Sequence, residues 1–347
     1  MYFKNLNGRS LSAILMGVVF SFTSCIKDLP PIFKGGHSHS GTPNVLVAGY
    51  ESNGTYNVAK YWIDGQEIML SDGTRDASAN SITVSNHDVY IAGSDSGAVY
   101  WKNNSEIRLS GDGASSIFVS GNDVYVAGSV GSDTAVYWKN GTKVILDKNS
   151  TYGNFGDVTV NSIFVSGQDV YAAGYEGPNA VYWKNGEEIY LTNSTIGSAG
   201  FIHANSIYVS GNDVYVAGYG VSPGGVFPKL LYWKNDVIVP VNNIDGGGRA
   251  NSILVSGGDV YIAGMQQVFP DYTASAVYWK NGNVILLPFS AGGSSANSIF
   301  VAGNHVYLAG EDVVAYQMSY AVYWKDGVET KLTDGTHGAS ANSIVVR

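Results

Sequence analysis

From residue 44 to its end the chain is a succession of short apolar runs, rich in Val, Ile, Tyr and Trp and bounded by Gly, Asn or Asp. Residues 205–210, 213–218, 230–234 and 237–241 show the order of one such set, with tight turns at Gly211-Asn212 and Asn235-Asp236 and a longer loop over 219–229. β-branched and aromatic residues in runs this short, punctuated by turn formers, predict strands rather than helices. We label the four strands a, b, c and d.

The set recurs. All seven tryptophans follow a tyrosine, at Trp62, Trp101, Trp138, Trp183, Trp233, Trp279 and Trp324. An Ala-Gly pair ends strand b at Gly49, Gly93, Gly128, Gly174, Gly218, Gly264 and Gly310. Strand a carries Asn-Ser-Ile around Ser81, Ser162, Ser206, Ser252, Ser298 and Ser343, with Ser115 in place of the asparagine before Ser116. A four-stranded unit repeated at this spacing predicts the blades of a β-propeller. A linear β-solenoid is the competing architecture, but its rungs are shorter and its ends need caps. The first copy begins with strand b at residue 44, and the last residues, 342–346, form a lone strand a. Each end supplies what the other lacks. The expected fold is therefore all-β, a seven-bladed β-propeller over 44–347 whose C-terminal strand completes the N-terminal blade and removes an exposed sheet edge.

With a strand b that ends in glycine and with Tyr and Trp downstream, the unit resembles the kelch-type propeller repeat. It is also similar to bacterial surface and secreted proteins built from many copies of a "SGNDVYVAG…YWKNG" repeat, whose activity is generally unassigned. The resemblance implies an architecture and no function.

In such a ring the a–b and c–d turns share one face. Pairs such as Asn140-Gly141 and Asn185-Gly186 make these minimal hairpins, of the kind that places positive φ at the turn. Asp88, Asp123, Asp169, Asp213 and Asp259 begin strand b where Lys102, Lys139, Lys184, Lys234 and Lys280 end strand c, so ion pairs are expected there. On the other face the b–c and d–a loops differ in length and content from copy to copy, which is where specificity resides on a constant scaffold. Those loops are acidic and aromatic, a mixture suited to carbohydrate because rings stack on a sugar and carboxylates accept from its hydroxyls. The ligand-binding candidates are Tyr219, Phe227, Phe269, Asp271, Tyr272, Glu311, Asp312 and Tyr316, in the long loops of the fifth, sixth and seventh copies.

Little chemistry is legible beyond that. A glycoside hydrolase would need a carboxylate pair at fixed separation, and the loops hold enough acids for one without indicating which. No Gly-x-Ser-x-Gly elbow stands between a strand and a helix. His203 and His337 are expected to be isolated loop residues, and the Asp-Gly-Thr words at Asp72 and Asp334 lack the ligand spacing of a calcium loop. The Tyr-Trp pairs are expected to be core. No catalytic residue, metal or cofactor is assigned, and the protein is expected to be a monomeric binding module for a glycan or protein. A hydrolase using loop carboxylates and a scaffold component of an envelope complex are the alternatives.

Composition narrows the partners. The 347 residues are 45% hydrophobic, with 28 acidic against 19 basic side chains and a net charge of −9, which excludes disorder and argues against nucleic acid. The single cysteine, Cys25, is explained by the N-terminus. Lys4 and Arg9 precede an uncharged apolar run, and Thr23-Ser24 precede Cys25. Residues 1–24 resemble a bacterial lipoprotein signal, which implies lipidation of Cys25 and a membrane association through that anchor alone. Lys27-Asp28 resembles the short charged signal that sends some Gram-negative lipoproteins to the outer cell surface, which implies an outer membrane with the protein facing outward. Residues 25–43, with Pro30-Pro31 and Gly35-Gly36, then serve as a flexible tether.

Overall fold

A computed structural model describes residues 43–131, 133–146, 158–191, 200–242, 247–268, 273–290 and 292–347. Cys25, with the expected signal and all of the tether before Pro43, lies outside them, as do Phe269, Asp271 and Tyr272. Among the described residues there are twenty-eight strands in seven four-stranded sheets, and no helix. Every sheet is antiparallel in the order a–b–c–d. Blade one is completed by the last strand, Ala339–Val346, paired with Val45–Ser52. The chain is a seven-bladed β-propeller, and its two ends share a blade as expected.

Strand a of each blade packs on strand a of the next, which makes it the innermost. Strand d is the outer edge, four residues long in six blades and only Val237–Ile238 in blade five. Edges this short offer little to a foreign strand. The Tyr-Trp pairs obey the strand period, in which neighbours point to opposite faces. Every tryptophan is buried, and six pack in a cluster with the preceding blade: Trp233 with Tyr171 and Tyr182, Trp183 with Tyr125, Trp62 with Tyr307, Trp138 with Tyr90, Trp279 with Tyr215 and Trp324 with Tyr261. The hydrophobic core is thus divided among the seams between blades, and truncating one such side chain to alanine costs about 3–5 kcal/mol.

The Asn-Ser-Ile word belongs to those seams as well. In every a–b pair the register shifts at this asparagine, or at Ser115 in blade three. The extra residue of a bulge leaves the ladder and its side chain is re-aimed. Here it reaches forward: Asn80 Nδ2 donates to the Ala114 carbonyl at 2.9 Å, Asn161 to Ala204 at 2.9 Å, Asn205 to Ala250 at 2.8 Å and Asn251 to Ala296 at 2.9 Å. Asn297 donates to Ala341, Asn342 to Ala79, and Ser115 Oγ to Val160, so the series runs unbroken around the ring. The following serine accepts from the isoleucine N–H of the next blade, as at Ile82 to Ser343 and Ile117 to Ser81. Beside each bulge the two inner strands approach so closely that only glycine fits in strand b. A Cβ on Gly174 would lie 1.8 Å from the Thr159 carbonyl oxygen, and one on Gly218 1.9 Å from that of His203.

Candidate ligand site at the inner rim

The tight-turn face repeats one arrangement. Lys139 Nζ lies 2.8 Å from Asp123 Oδ2 and 5.2 Å from the centroid of the Tyr125 ring. Asn140, held at φ 50°, donates to Asp123 Oδ1 and accepts from the Val124 N–H. All five expected Asp–Lys pairs form, at 2.7–3.1 Å. Blade seven inverts the roles, with His305 Nδ1 2.6 Å from Asp326 Oδ2 in the turn.

On the opposite face the two residues after each Ala-Gly glycine sort by strand alternation into two rows. The second row is Glu51, Asp95, Val130, Glu176, Gly220, Gln266 and Asp312. Its acids lie in the seams with partners of their own. Asp95, 3% exposed at its side chain, takes Arg75 through Nε and at 3.1 Å through a terminal nitrogen, while Arg108 donates to its carbonyl at 2.8 Å. Glu176 accepts from the Tyr190 hydroxyl at 2.7 Å, and Glu51 meets the buried Lys60 at 2.6 Å. Asp312, one of the ligand candidates, is buried, and its two oxygens accept from the Ser290 N–H at 2.7 Å and from the Ser290 hydroxyl. That carboxylate fastens the d–a loop entering blade seven.

The first row is Tyr50, Ser94, Ser129, Tyr175, Tyr219, Met265 and Glu311. These half-buried residues line the inner rim opposite the first positions of strand a, among them Thr159, His203, Arg249 and Ser295. His203 is on strand Phe201–Ser210 rather than in a loop. A run of planar groups crosses three blades: Tyr175 meets His203 edge-on at 4.1 Å, His203 stacks on Tyr219 at 5.0 Å with 2° between planes, and the Arg249 guanidinium sits 4.6 Å from the Tyr219 centroid. Burial, reinforced by the Arg249 charge, pushes the His203 pKa down, which keeps the ring neutral near pH 7.

Beside Arg249 a cleft of about 350 Å³ opens between blades six and seven. Asn251 and Met265 of blade six face Ser295, Asn297 and Glu311 of blade seven across it, and Gly292 and Gly293 leave one wall without side chains. Asp312 holds that wall in place, since Gly293 accepts from the Val313 N–H and donates to the Ser290 carbonyl. Burial raises the Glu311 pKa, and its charge adds to the burial that raises Tyr50 of blade one. A second cleft of similar volume lies at blade one, where Asp72, Asp334 and His337 of the two flanking d–a loops line it together with Lys60. Both Asp-Gly-Thr words are there, and each aspartate accepts from its own threonine hydroxyl, Asp72 at 2.7 Å and Asp334 at 2.6 Å. Among the described residues no His, Cys, Asp and Glu side chains cluster in a metal-binding arrangement.

Of the described ligand candidates, Tyr219 and Glu311 are therefore on the inner rim. Phe227 lies in the b–c loop of blade five against Gly247, and Tyr316 projects from the tip of the blade-seven hairpin, 88% exposed. His203, Arg249 and Ser295 join the site through the register of strand a. Counting from the bulge would have found them, because the residue two before it occupies the rim in every blade.

No protein-family model and no characterised protein sequence matches this chain. Among solved structures it is similar to TolB from Acinetobacter baumannii, with a TM-score of 0.46 at 10% identity over 87% of this chain and 66% of that one. It is also similar to the acylaminoacyl peptidase of Pyrococcus horikoshii, with a TM-score of 0.49 at 15% identity over 85% of this chain and 52% of that one. The likeness is one of fold.

Proposed function

We infer that this propeller is a glycan-binding module that takes its ligand at the inner rim of the variable-loop face. The observation that carries this reading is the cleft between blades six and seven, where hydroxyl, amide and carboxyl groups converge beside a row of aromatic side chains. Neutral hydrogen-bonding groups with one or two charges, set in a preformed concavity, suit a polyhydroxylated ligand. Most other acids of this face already hold their own loops, so Glu311 is the carboxyl available in that cleft. The lipid on Cys25 would hold the propeller at the outer membrane, with residues 25–43 as its tether, a role consistent with capture of a glycan from outside the cell. A glycan array probed with the full chain tests the binding. Capture of a defined glycan class that is lost with Ser295→Tyr, which fills the cleft, supports the reading, and no capture of any glycan refutes it. Unchanged membrane fractionation of Cys25→Ala would refute the anchor alone.

A further inference from the structure

Cations are few on this acidic chain, and three of those near the variable-loop face are matched to carboxylates. Lys60 lies between Glu51 and Glu67, at 2.6 and 3.0 Å. Arg75 is bound to Asp95, and Arg108 lies 2.8 Å from Glu106. Arg249 differs from all of them. It is exposed and forms no ion pair among the described residues, and its guanidinium is positioned by the ring of Tyr219. Tyr219 is in turn held by His203, which Tyr175 supports from blade four. A planar cation fixed by stacking keeps its N–H fork available, and that fork matches the two oxygens of a carboxylate.

The neighbouring groups narrow the ligand further. Arg249 lines the cleft with Ser295, Asn251 and Asn297. Asn251 donates to the Ala296 carbonyl and to Ser295 Oγ, and Ser295 Oγ donates to Asn297 Oδ1. These donors are committed, but amide and hydroxyl oxygens keep further lone pairs for a sugar's hydroxyl groups. Glu311, across the cleft, adds acceptor oxygens and a negative charge that disfavours a multiply charged anion such as phosphate. One fork, several hydroxyl acceptors and one opposing carboxylate describe a singly charged sugar.

We propose that the cleft between blades six and seven binds an acidic sugar of the uronate type, with Arg249 engaging its carboxylate. The proposal rests on the glycan reading and narrows it. Arg249 supplies charge recognition, Tyr219 is a positioning residue that orients the guanidinium, and Glu311 limits the total negative charge the cleft accepts.

The test is calorimetric titration of the full chain with the methyl glycosides of galacturonate, mannuronate and glucuronate, each beside its methyl ester, and with inorganic phosphate. The esters keep the shape of the sugar and remove its charge. At least one acid is expected to bind about tenfold or more tighter than its ester, the scale of one charge-assisted hydrogen bond. Arg249→Gln should abolish that difference, weakening the acid far more than the ester. Glu311→Gln should tighten the acid relative to its ester by about two- to fivefold through removal of a like charge. Melting curves that match the wild type keep both variants interpretable. Equal binding of acid and ester, or equal losses for both in Arg249→Gln, would overturn the proposal while the glycan reading stood. Phosphate bound as tightly as the best uronate would overturn the sugar assignment. Failure of every sugar here, together with a blank array, would remove both readings.

Discussion

On the tight-turn face, Asp88, Asp123, Asp169, Asp213 and Asp259 meet the same lysine, tyrosine and asparagine in five blades. On the variable-loop face, Glu51, Asp95, Glu176 and Asp312 occupy one equivalent position and each finds a different kind of partner: a lysine, two arginines, a tyrosine and a serine respectively. The first set is exposed enough that water does much of the solvation, so an identical solution serves everywhere and little depends on it. In the second, Asp95, Glu176 and Asp312 are buried and Glu51 half-buried, where an uncompensated carboxylate is costly, so each blade with an acid there must supply a local answer. Repetition marks sites under weak constraint, and variation marks those where loop and seam are fitted together. Between them, the inner strands carry a third pattern, the same in every blade but for Ser115 in blade three, and this one is repeated under strong constraint.

That third pattern gives the largest expected effect. Deleting residues 341–347 removes strand a of blade one, its ladder to Val45–Ser52, and the clasps at Asn297 and Asn342. It also exposes the edge of Val45–Ser52 for pairing with another chain. The loss should consume most of the roughly 5–15 kcal/mol by which domains are stable, and the truncated protein should self-associate. Thermal melting and sedimentation check this. A monomer that melts at the wild-type temperature would show that neither strand pairing nor clasp closes the ring.

The ring and its closure were legible because three words recur and because the two chain ends are complementary. What Asn-Ser-Ile does was not, since its bonds run between residues 34 to 47 positions apart, as at Asn80 to Ala114 and Ile253 to Ser206, and 261 and 263 apart where Ser343 and Asn342 close the ring. A word repeated in every blade looks internal to the blade until the bulge turns it toward the neighbour. Composition alone also mistook burial for display. The acids after Ala-Gly looked like a ligand surface, yet of the adjacent pair Glu311-Asp312 one faces the cleft and the other the Ser290 loop. Alternation from Gly310 separates them, and the same count places Tyr219 and Arg249 on the rim.

A smaller effect separates display from support on the variable-loop face. Arg75→Met strips the buried Asp95 carboxylate of its two-pronged partner and leaves it with Arg108, whose guanidinium is 3.8 Å away. Stability should fall by about 2–3 kcal/mol, read as a lower melting temperature or denaturation midpoint. Glycan capture should be unchanged, because Asp95 lies in blade two, away from the cleft of blades six and seven. Lost capture at unchanged stability would reverse these assignments and make the Asp95 cluster the binding site.

The smallest effect belongs to the repeated pairs, and its sign depends on pH. Lys139 and then Asn140 hold the Asp123 carboxyl below its usual range; at Asp169 the leading partner is Asn185, followed by Lys184. A carboxyl whose folded pKa is depressed contributes stability that is present above its unfolded value, about 3.9, and is lost as pH falls through the folded value. Replacing Asp88, Asp123, Asp169, Asp213 and Asp259 together by asparagine keeps an acceptor for each turn asparagine and removes only the charge. At pH 7 the variant should melt only slightly below the wild type, because these pairs are open to water and screened by salt. Between about pH 5 and pH 2 the wild type should lose more of its melting temperature than the variant, since only the wild type has these carboxylates to protonate. Parallel acid profiles for the two proteins would show that the tight-turn carboxylates contribute nothing to folding, and that their recurrence in five blades follows from the turn asparagine rather than from charge.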